Sequence, residues 1–387
     1  MRLYKSRWAG LLLIIVMCLV GCANTSSSEA EPVTETESAT ETEPVTETET
    51  ETEKEPEPTT ESEPVTDTDK KVTSVTITAA GDCALGALQY HGYSSSFHSY
   101  YDKYGEEYFF EKFKDIFSVD DLTIVNLECV FTKEKDRVEK KYNIKGYPKY
   151  AGILSSSSIE VCSMGNNHSS DYGDKSRTDT MAALDKKGVQ YAYNELVAYY
   201  TTKDDIKVAV LSASLLSQRK VTQPILEKAL KGARKQADLV IATCHWGVEG
   251  RNYPNNYQQK MAHKLIDAGA DLVIGTHPHV LQGIEYYKGK IICYSLGNFS
   301  FGANRNPEDR DTVVYQQTFY FENGTLQPKL EASIIPSRLC KGESGNNFQP
   351  ILASKKQAKN IIKRMNTYSS KYSKLQIDED GTITINE

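Results

Sequence analysis

The sequence predicts an α/β protein, a layered sandwich of strands and helices in one domain over residues 71 to 387. Three observations predict it. Ala237-Asp-Leu-Val-Ile-Ala-Thr-Cys-His-Trp-Gly247 and Ala270-Asp-Leu-Val-Ile-Gly-Thr-His-Pro-His279 share one pattern, an apolar branched run that passes straight into histidine. Such runs read as buried parallel strands, and ligands bind where their carboxyl ends open into loops. The passage from strand to polar turn recurs at Gly81-Asp82, Asn126-Leu-Glu128 and Gly165 to Gly173. Finally, Asn323-Gly324 between two alternating stretches is the strongest local hairpin signal in the chain.

Two segments precede the domain. Arg2, Lys5 and Arg7 lead into an uncharged run from Trp8 to Val20, then Gly21-Cys22. A basic stretch followed by an apolar one too short to span comfortably reads as a secretory signal over residues 1–22. Gly21-Cys22 resembles a bacterial lipobox, in which the Cys22 thiol is lipidated and becomes the mature N-terminus. An uncleaved anchor is the other reading; both place the rest outside the cytoplasm, as an extracytoplasmic lipoprotein or anchored protein. Residues 23–70 are almost entirely Glu, Thr, Pro, Ser and Val, with Glu-Pro-Val-Thr recurring at 31, 43 and 63. So little apolar surface does not offset the entropy of ordering, so the segment is expected to be a disordered acidic tether. Self-repulsion extends it over at least about 40 Å.

Of the net charge of −7, the tether holds −14 and the first 22 residues +3, which leaves +4 for residues 71 to 387. That is an ordinary solvated surface, and it calls for no nucleic-acid partner. Cys83, Cys129, Cys162, Cys244, Cys293 and Cys340 lie in or at the ends of apolar runs and read as buried free thiols rather than a disulfide framework. Three of them adjoin candidate site residues, so a metal-ligand reading stays open beside it, although neighbours along a strand point to opposite faces.

In chain order, Val72 to Ala80 has the β-branched richness of a strand. Glu106 to Phe117 places Phe109, Phe110, Phe113, Ile116 and Phe117 at helical spacing, as core. Leu122 to Glu128 is a strand; Lys133 to Tyr150, rich in Lys, Tyr and Gly, is a surface excursion of the kind that carries substrate contacts. A strand over Ile159 to Met164 precedes a helix over Asp174 to Lys187, stopped by Gly188. Strands follow at Val189 to Tyr193 and Ile206 to Ser214, then a helix from near Pro224 to Gln236 with proline in its first turn. The His245 strand, a helix over Tyr257 to Ala268 and the His277 strand form a β-α-β unit with a right-handed crossover. Lys290 to Gly302 is a strand and polar turn, Val313 to Leu326 and Lys329 to Ile335 are the hairpin, and Ile351 to Tyr368 is a basic closing helix.

Collected by position, the strand-end polar residues are Asp82, Asn126, Glu128, Asn167, His168, His245, His277, His279 and Asn298. Carboxylates, an amide oxygen and neutral imidazoles suit divalent ions such as Mn²⁺, Fe²⁺ or Zn²⁺. The set is too large for one tetrahedral ion and fits two that share a carboxylate, an arrangement that serves hydrolysis. His91, His98 and His263 read as ordinary hydrogen-bonded residues. Glu249 reads as a partner orienting His245 or as an exposed loop carboxylate, Asn298 as a turn residue, and Trp246 as packing or a wall of the site.

Gly81-Asp82, Asn126-Leu-Glu128, Gly165-Asn-Asn-His-Ser-Ser-Asp-Tyr-Gly173, His245-Trp-Gly-Val-Glu249, His277-Pro-His-Val-Leu-Gln282 and Tyr294-Ser-Leu-Gly-Asn-Phe299 follow one another as in the capsule synthesis CapA family. The chain resembles that family over essentially all of residues 73 to 302. The resemblance implies a role in the synthesis, export or anchoring of poly-γ-glutamate capsule or another envelope polymer. It also implies an anionic polymer or phosphoester partner, a membrane-bound capsule synthesis complex, and a fold similar to calcineurin-like metallophosphoesterases, two β-sheets flanked by helices. Carried over by position, Asp82 matches the first-motif aspartate and Glu128 the metal-bridging aspartate. Asn167 and His168 match the Asn-His pair, metal ligand and leaving-group acid, and His245, His277 and His279 match the later histidine ligands. Two departures keep the chemistry open between a working metal-dependent hydrolase and a domain that binds without cleaving. Ala84 stands where the first motif has histidine, and Glu128 is one methylene longer than the usual bridge.

Overall fold

The computed structural model describes residues 71 to 386; the expected signal segment with Cys22 and the acidic tether lie outside the described residues. Strand β1 (Val72–Ala84) is buried from Ile77 onward. After helix α1 (Phe97–Tyr104), strands β2 (Leu122–Leu127) and β3 (Val161–Ser163) add in parallel. Helix α2 (Gly173–Asp185) leads to β4 (Gln190–Ala192), parallel to β3. The chain then builds a second sheet from β5 (Ala198–Thr201), β6 (Lys207–Ser214), helix α3 (Arg219–Ala233), β7 (Leu239–His245), helix α4 (Asn256–Asp267), β8 (Leu272–Thr276), β9 (Ile284–Tyr287) and β10 (Lys290–Cys293). Its order is β9-β10-β8-β7-β6-β5, parallel in the middle and antiparallel at both edges. The chain returns to the first sheet with β11 (Asn298–Phe301), β12 (Asp311–Glu322) and β13 (Glu331–Arg338), and helix α5 (Lys355–Ser369) follows. This is the expected two-sheet sandwich with flanking helices and a C-terminal hairpin and helix.

Strand alternation assigns each face to a layer. On β7, Leu239 and Ile241 join Ile77, Ile124 and Val161 of the first sheet in the core between the sheets, while Val240, Ala242 and Cys244 pack with Leu230 of α3 and Leu265 of α4. On β2, Leu122 and Ile124 face the same inter-sheet core, whereas Val125 and Leu127 pack with Phe109, Phe110 and Phe113. Continuing each alternation, past Thr243 on β7, places His245 and Asn126 on the inter-sheet side, where the apolar core ends. Directly beneath, the Ser163 hydroxyl bridges the two sheets to Ser212 Oγ at 2.6 Å and Thr243 Oγ1 at 2.8 Å.

β1 reaches the same side by a different route. Ala79 and Ala80 pair with Ile124 and Val125, but the next partner of Asn126 is Asp82, so Gly81 is an extra residue in the ladder. Side-chain parity is two, and a one-residue bulge turns the following side chain to the opposite face. Asp82 therefore joins Asn126 instead of the phenylalanine layer. Glycine is required at 81: a Cβ there would lie 1.9 Å from the Gly297 carbonyl oxygen, whose position is fixed by the Asp82 N–H donating to it at 2.9 Å.

Most elements stand where the pattern puts them, and the exceptions have identifiable causes. Glu106 to Phe117 is a 3₁₀ turn (Glu107–Phe109) and a one-turn helix (Lys114–Phe117) rather than a single helix. Its aromatics are nonetheless core, because Phe110 and Phe113 pack on Phe299 at centroid distances of 5.6 and 4.8 Å, a tertiary contact that overrides the period. Helix α3 begins at Arg219, so Pro224 falls in its second turn rather than its first. The closing helix begins at Lys355 behind a Ser354–Gln357 capping box, since Ile351–Leu352 pairs with β13 as a short strand. Asn323 and Gly324 both take positive φ, 50° and 76°, as a type I′ turn demands. The six cysteines are free and buried. No helix among the described residues is long and apolar enough to cross a membrane.

Glu160, just before β3, accepts a hydrogen bond from the Thr123 N–H at 2.8 Å. Burial pushes its carboxyl from an ordinary 4.5 up to about 7, against that hydrogen bond and with help from Asp120. Between these values the folded state keeps a proton that the unfolded state has released, so wild-type stability falls as pH rises through the window. Glu160→Gln keeps the acceptor and removes the titration. Its melting temperature should gain on wild type by about 2 °C or more between pH 4.5 and 7; a difference that does not change with pH would refute the assignment.

Candidate metal centre

The strand-end residues converge. Asp82 ends the bulge of β1, Asn126 and Glu128 end β2, and Asn167 and His168 follow β3. His245 ends β7, and His277 and His279 follow β8. The His-Pro-His turn is strained, with φ of 94° at His277 and 57° at His279, a region disfavoured for residues other than glycine. It is held by the His277 N–H donating to Asp82 Oδ2 at 3.2 Å and the Gly250 N–H donating to the Pro278 carbonyl at 2.9 Å.

Glu128 is the hub. Its Oε1 lies 3.6 Å from His245 Nε2, 3.6 Å from His279 Nε2 and 3.9 Å from His168 Nε2. Two groups of closely spaced donors contain it, Glu128 with His245 and His277, and Glu128 with Asp82 and His279; a third joins exposed Glu249 to His277 and His279. Neighbours set which nitrogen faces inward. His245 Nδ1 lies 3.0 Å from the Thr276 hydroxyl and its Nε2 lies 2.7 Å from Asn167 Oδ1. His279 Nδ1 is held by Asn298 Oδ1 at 2.9 Å and Asp82 Oδ2 at 3.1 Å, which leaves Nε2 toward Glu128. Asn126 donates to Asp82 Oδ1 at 2.8 Å and accepts from Asn166 at 3.0 Å.

Two buried atoms in this cluster, Glu128 Oε1 and His277 Nδ1, have no hydrogen-bond partner. Buried polar atoms without partners are costly and rare, and here both belong to a donor set that a divalent cation satisfies. The ionisation states agree. Burial holds His245 well below its ordinary value and takes His277 down to about 4, so both are the neutral imidazoles that ligation needs. Burial also works against charge on His279, but the Glu128 and Asp82 carboxylates overcome it and push it up to about 10. Burial raises Glu128 well above the carboxylate range, opposed by His279. The Glu128–His279 pair thus retains a proton that a cation bound there would have to displace.

His168 stands beside this cluster with its own support. Asp171, fully buried, accepts from His168 Nδ1 at 2.8 Å and from the Ile144 N–H at 2.6 Å, and forms a close ion pair with Lys140. Lys140 also donates to the Asn167 carbonyl at 2.8 Å. Burial lowers His168, Asp171 pulls the other way, and Lys140 and His279 reinforce the fall. The ring is fixed with Nε2 pointing at Glu128.

The structure revises some sequence expectations and chooses between the alternatives left open by others. Asn298 is a strand residue that orients His279, not a turn residue. Glu249 groups with His277 and His279 rather than supporting His245, whose partners are Thr276 and Asn167. Trp246 packs in the helix layer and donates to the Tyr294 carbonyl at 3.0 Å. The thiols take no part: burial pushes Cys83 and Cys244 up, and no donor group among the described residues includes them. Sequence reasoning misses Asn166, although it sits in the Gly165-Asn-Asn-His168 motif, and Lys140, whose only signal is its place in the Lys/Tyr-rich excursion. His91 is not merely ordinary: it lines, with His168, His279 and Asn298, the cavity of about 620 Å³ that opens over the site.

A two-sheet α/β sandwich whose carboxylates, amides and imidazoles gather at the carboxyl ends of its parallel strands defines a domain built around a candidate divalent-metal centre. Residues 76–303 match the family described as bacterial capsule synthesis protein PGA_cap, and the chain belongs to that family. It is 31% identical over 242 residues to the PGA biosynthesis protein CapA of Bacillus subtilis (strain 168), covering 57% of this chain and 63% of that protein. It is 28% identical over 277 residues to the capsule biosynthesis protein CapA of Bacillus anthracis, covering 65% of each. The chain therefore spans just under two thirds of these relatives. Among solved structures, TT1561 of Thermus thermophilus aligns with 62% of this chain and 94% of its own, at 13% identity and a TM-score of 0.37.

Proposed function

We propose that this protein acts in the synthesis, export or anchoring of a poly-γ-glutamate capsule or related envelope polymer. In this reading it is held outside the cell membrane by a lipidated Cys22 and an acidic tether, beside a membrane-bound capsule synthesis complex. Its working part is a divalent-metal centre formed by Asp82, Glu128, Asn167, His245, His277 and His279. Family membership supports the polymer, and one observation carries the centre: the fully buried, unpartnered Glu128 Oε1 between two sets of donors.

The donor chemistry suits Mn²⁺, Fe²⁺ or Zn²⁺ and does not choose among them. When bound, such ions supply polarisation of an ester or amide group and a lowered pKa for water. The chain's own residues supply the rest. Asp171 holds His168 in one orientation and favours its protonated form, in which His168 Nε2, 3.9 Å from Glu128, is placed to pass a proton to a departing oxygen or nitrogen. That dyad favours a second reading in which the centre cleaves a phosphoester or a polyglutamate amide.

One preparation tests the proposal: the full chain recovered from membranes, reconstituted with Mn²⁺ or Zn²⁺ and assayed for bound metal. About two ions per chain are expected, with Cys22→Ser releasing the protein from the membrane fraction and leaving its metal unchanged. No stoichiometric metal after reconstitution would sink the centre, and a Cys22→Ser protein that stays with the membrane would sink the anchor.

A further inference from the structure

The cavity over the metal donors runs on past His168 and His279 to His91 and Arg305. A second pocket, of about 380 Å³, shares Leu88 and His91 with it and is lined further by His98, Lys135, Arg137, Lys145 and Tyr172. Three cations face this pocket, and no carboxylate lines it. Neither Lys135 nor Arg137 makes a hydrogen bond or ion pair among the described residues. Lys145 is held by the Glu134 carbonyl at 2.8 Å and lies 4.4 Å over the Tyr172 ring. At the junction of the two pockets, His91 Nδ1 and Arg305 Nε are buried atoms with no partner, while the far end of Arg305 is tied to the Gly92 and Ser94 carbonyls at 2.6 and 2.5 Å.

The charge is local rather than general. The segment from Lys133 to Lys149 holds seven cations and three carboxylates, a net +4, equal to the net charge of the whole of residues 71 to 387. Burial lowers Lys145, Glu134 opposes this, and Lys135 adds to it, so an ammonium held here is short of solvation. An anion relieves that.

A compact anionic ligand would be served by the metal-loaded centre alone. A separate cationic pocket opening onto the same cavity serves a ligand that carries negative charge at several places along its length. A nucleic-acid strand uses exposed aromatic faces to stack its bases, and the one tyrosine lining this pocket offers none. The Tyr172 ring is covered by Lys145, and the Tyr150 hydroxyl beside the pocket is tied to His98 Nδ1 at 2.8 Å.

We propose that the pocket formed by His91, His98, Lys135, Arg137, Lys145 and Tyr172 is a subsite for the carboxylates of an extended acidic polymer, next to the segment that lies over Glu128 and His168. This rests on the capsule-polymer reading and names where the polymer is gripped.

The test is titration calorimetry of the full chain with poly-γ-glutamate of defined length, with monomeric glutamate and with inorganic polyphosphate. The same titrations are run on Lys135→Ala/Arg137→Ala/Lys145→Ala and on Lys355→Ala/Lys356→Ala/Lys359→Ala, which removes equal charge from α5. Poly-γ-glutamate should bind the first variant about tenfold or more weakly, an effect that shrinks with added salt. The α5 variant should match wild type, and monomeric glutamate should not distinguish the three proteins. The double variant Lys135→Ala/Arg137→Ala, confined to exposed side chains, should move the same way by a smaller factor. Equal weakening in the pocket and α5 variants, or none in either, overturns the subsite. Selective capture of polyphosphate through these residues overturns the carboxylate assignment. Failure of the metal centre would appear in metal content instead, so the two ideas fail separately.

Discussion

Glu128→Gln is expected to remove both metal equivalents at once, whereas His279→Ala and His277→Ala each remove about one. Glu128 is the only residue in both the Asp82–His279 group and the His245–His277 group. Its Oε1 is equidistant, at 3.6 Å, from His245 Nε2 and His279 Nε2. The amide keeps the shape and discards the charge that two cations would share. Elemental analysis reads the count, and thermal melting reads the linkage. At a metal concentration a hundredfold above Kd, wild type gains about 2.7 kcal/mol of stability, and Glu128→Gln should gain none. A Glu128→Gln protein that binds two ions would show that the hub is placed elsewhere.

His168→Ala should lower turnover of any substrate the centre cleaves by about 10²–10⁴-fold while metal content stays at the wild-type value. The donor groups do not include His168, and its Nδ1 is engaged with Asp171, so its loss removes a proton carrier and leaves the ligand cage intact. Asp171→Asn should act through His168, lowering kcat with little change in KM and with metal retained. It should also cost about 1–3 kcal/mol of stability, since the buried carboxylate also accepts from the Ile144 N–H and pairs with Lys140. Unchanged turnover in a metal-loaded His168→Ala protein would assign the proton transfer to another group. Polymer binding without turnover in wild type would leave the domain as a binding module.

Much of this site could be read along the chain. Each ligand lies within a few residues of the end of an apolar run, and a parallel strand buried on both faces is written as such a run whatever its neighbours are. The hairpin at Asn323-Gly324 is equally local, because φ > 0 at both central residues is a property of the dipeptide. The phenylalanines of Glu106 to Phe117 were legible as core but not as a broken helix. Burial follows from composition, whereas the break follows from Phe299, nearly two hundred residues further on.

The sequence by itself determined the fold class, the ligand types and the strand ends that carry them, since periodicity, turn chemistry and donor chemistry are all short-range. Tertiary structure alone decided how those ligands face one another. Asp82 turns toward Asn126 because Gly81 is an extra residue against β2 and lies against the Gly297 carbonyl, a pairing no local pattern encodes. Asn298 becomes the partner of His279, and Lys140 the partner of Asp171, only when distant strands and the excursion loop are brought together. The basic pocket likewise exists only in the fold, where Lys135, Arg137 and Lys145 gather around His91 and His98. Along the chain those cations alternate with carboxylates; in space the carboxylates lie outside the pocket and the charge that remains is positive.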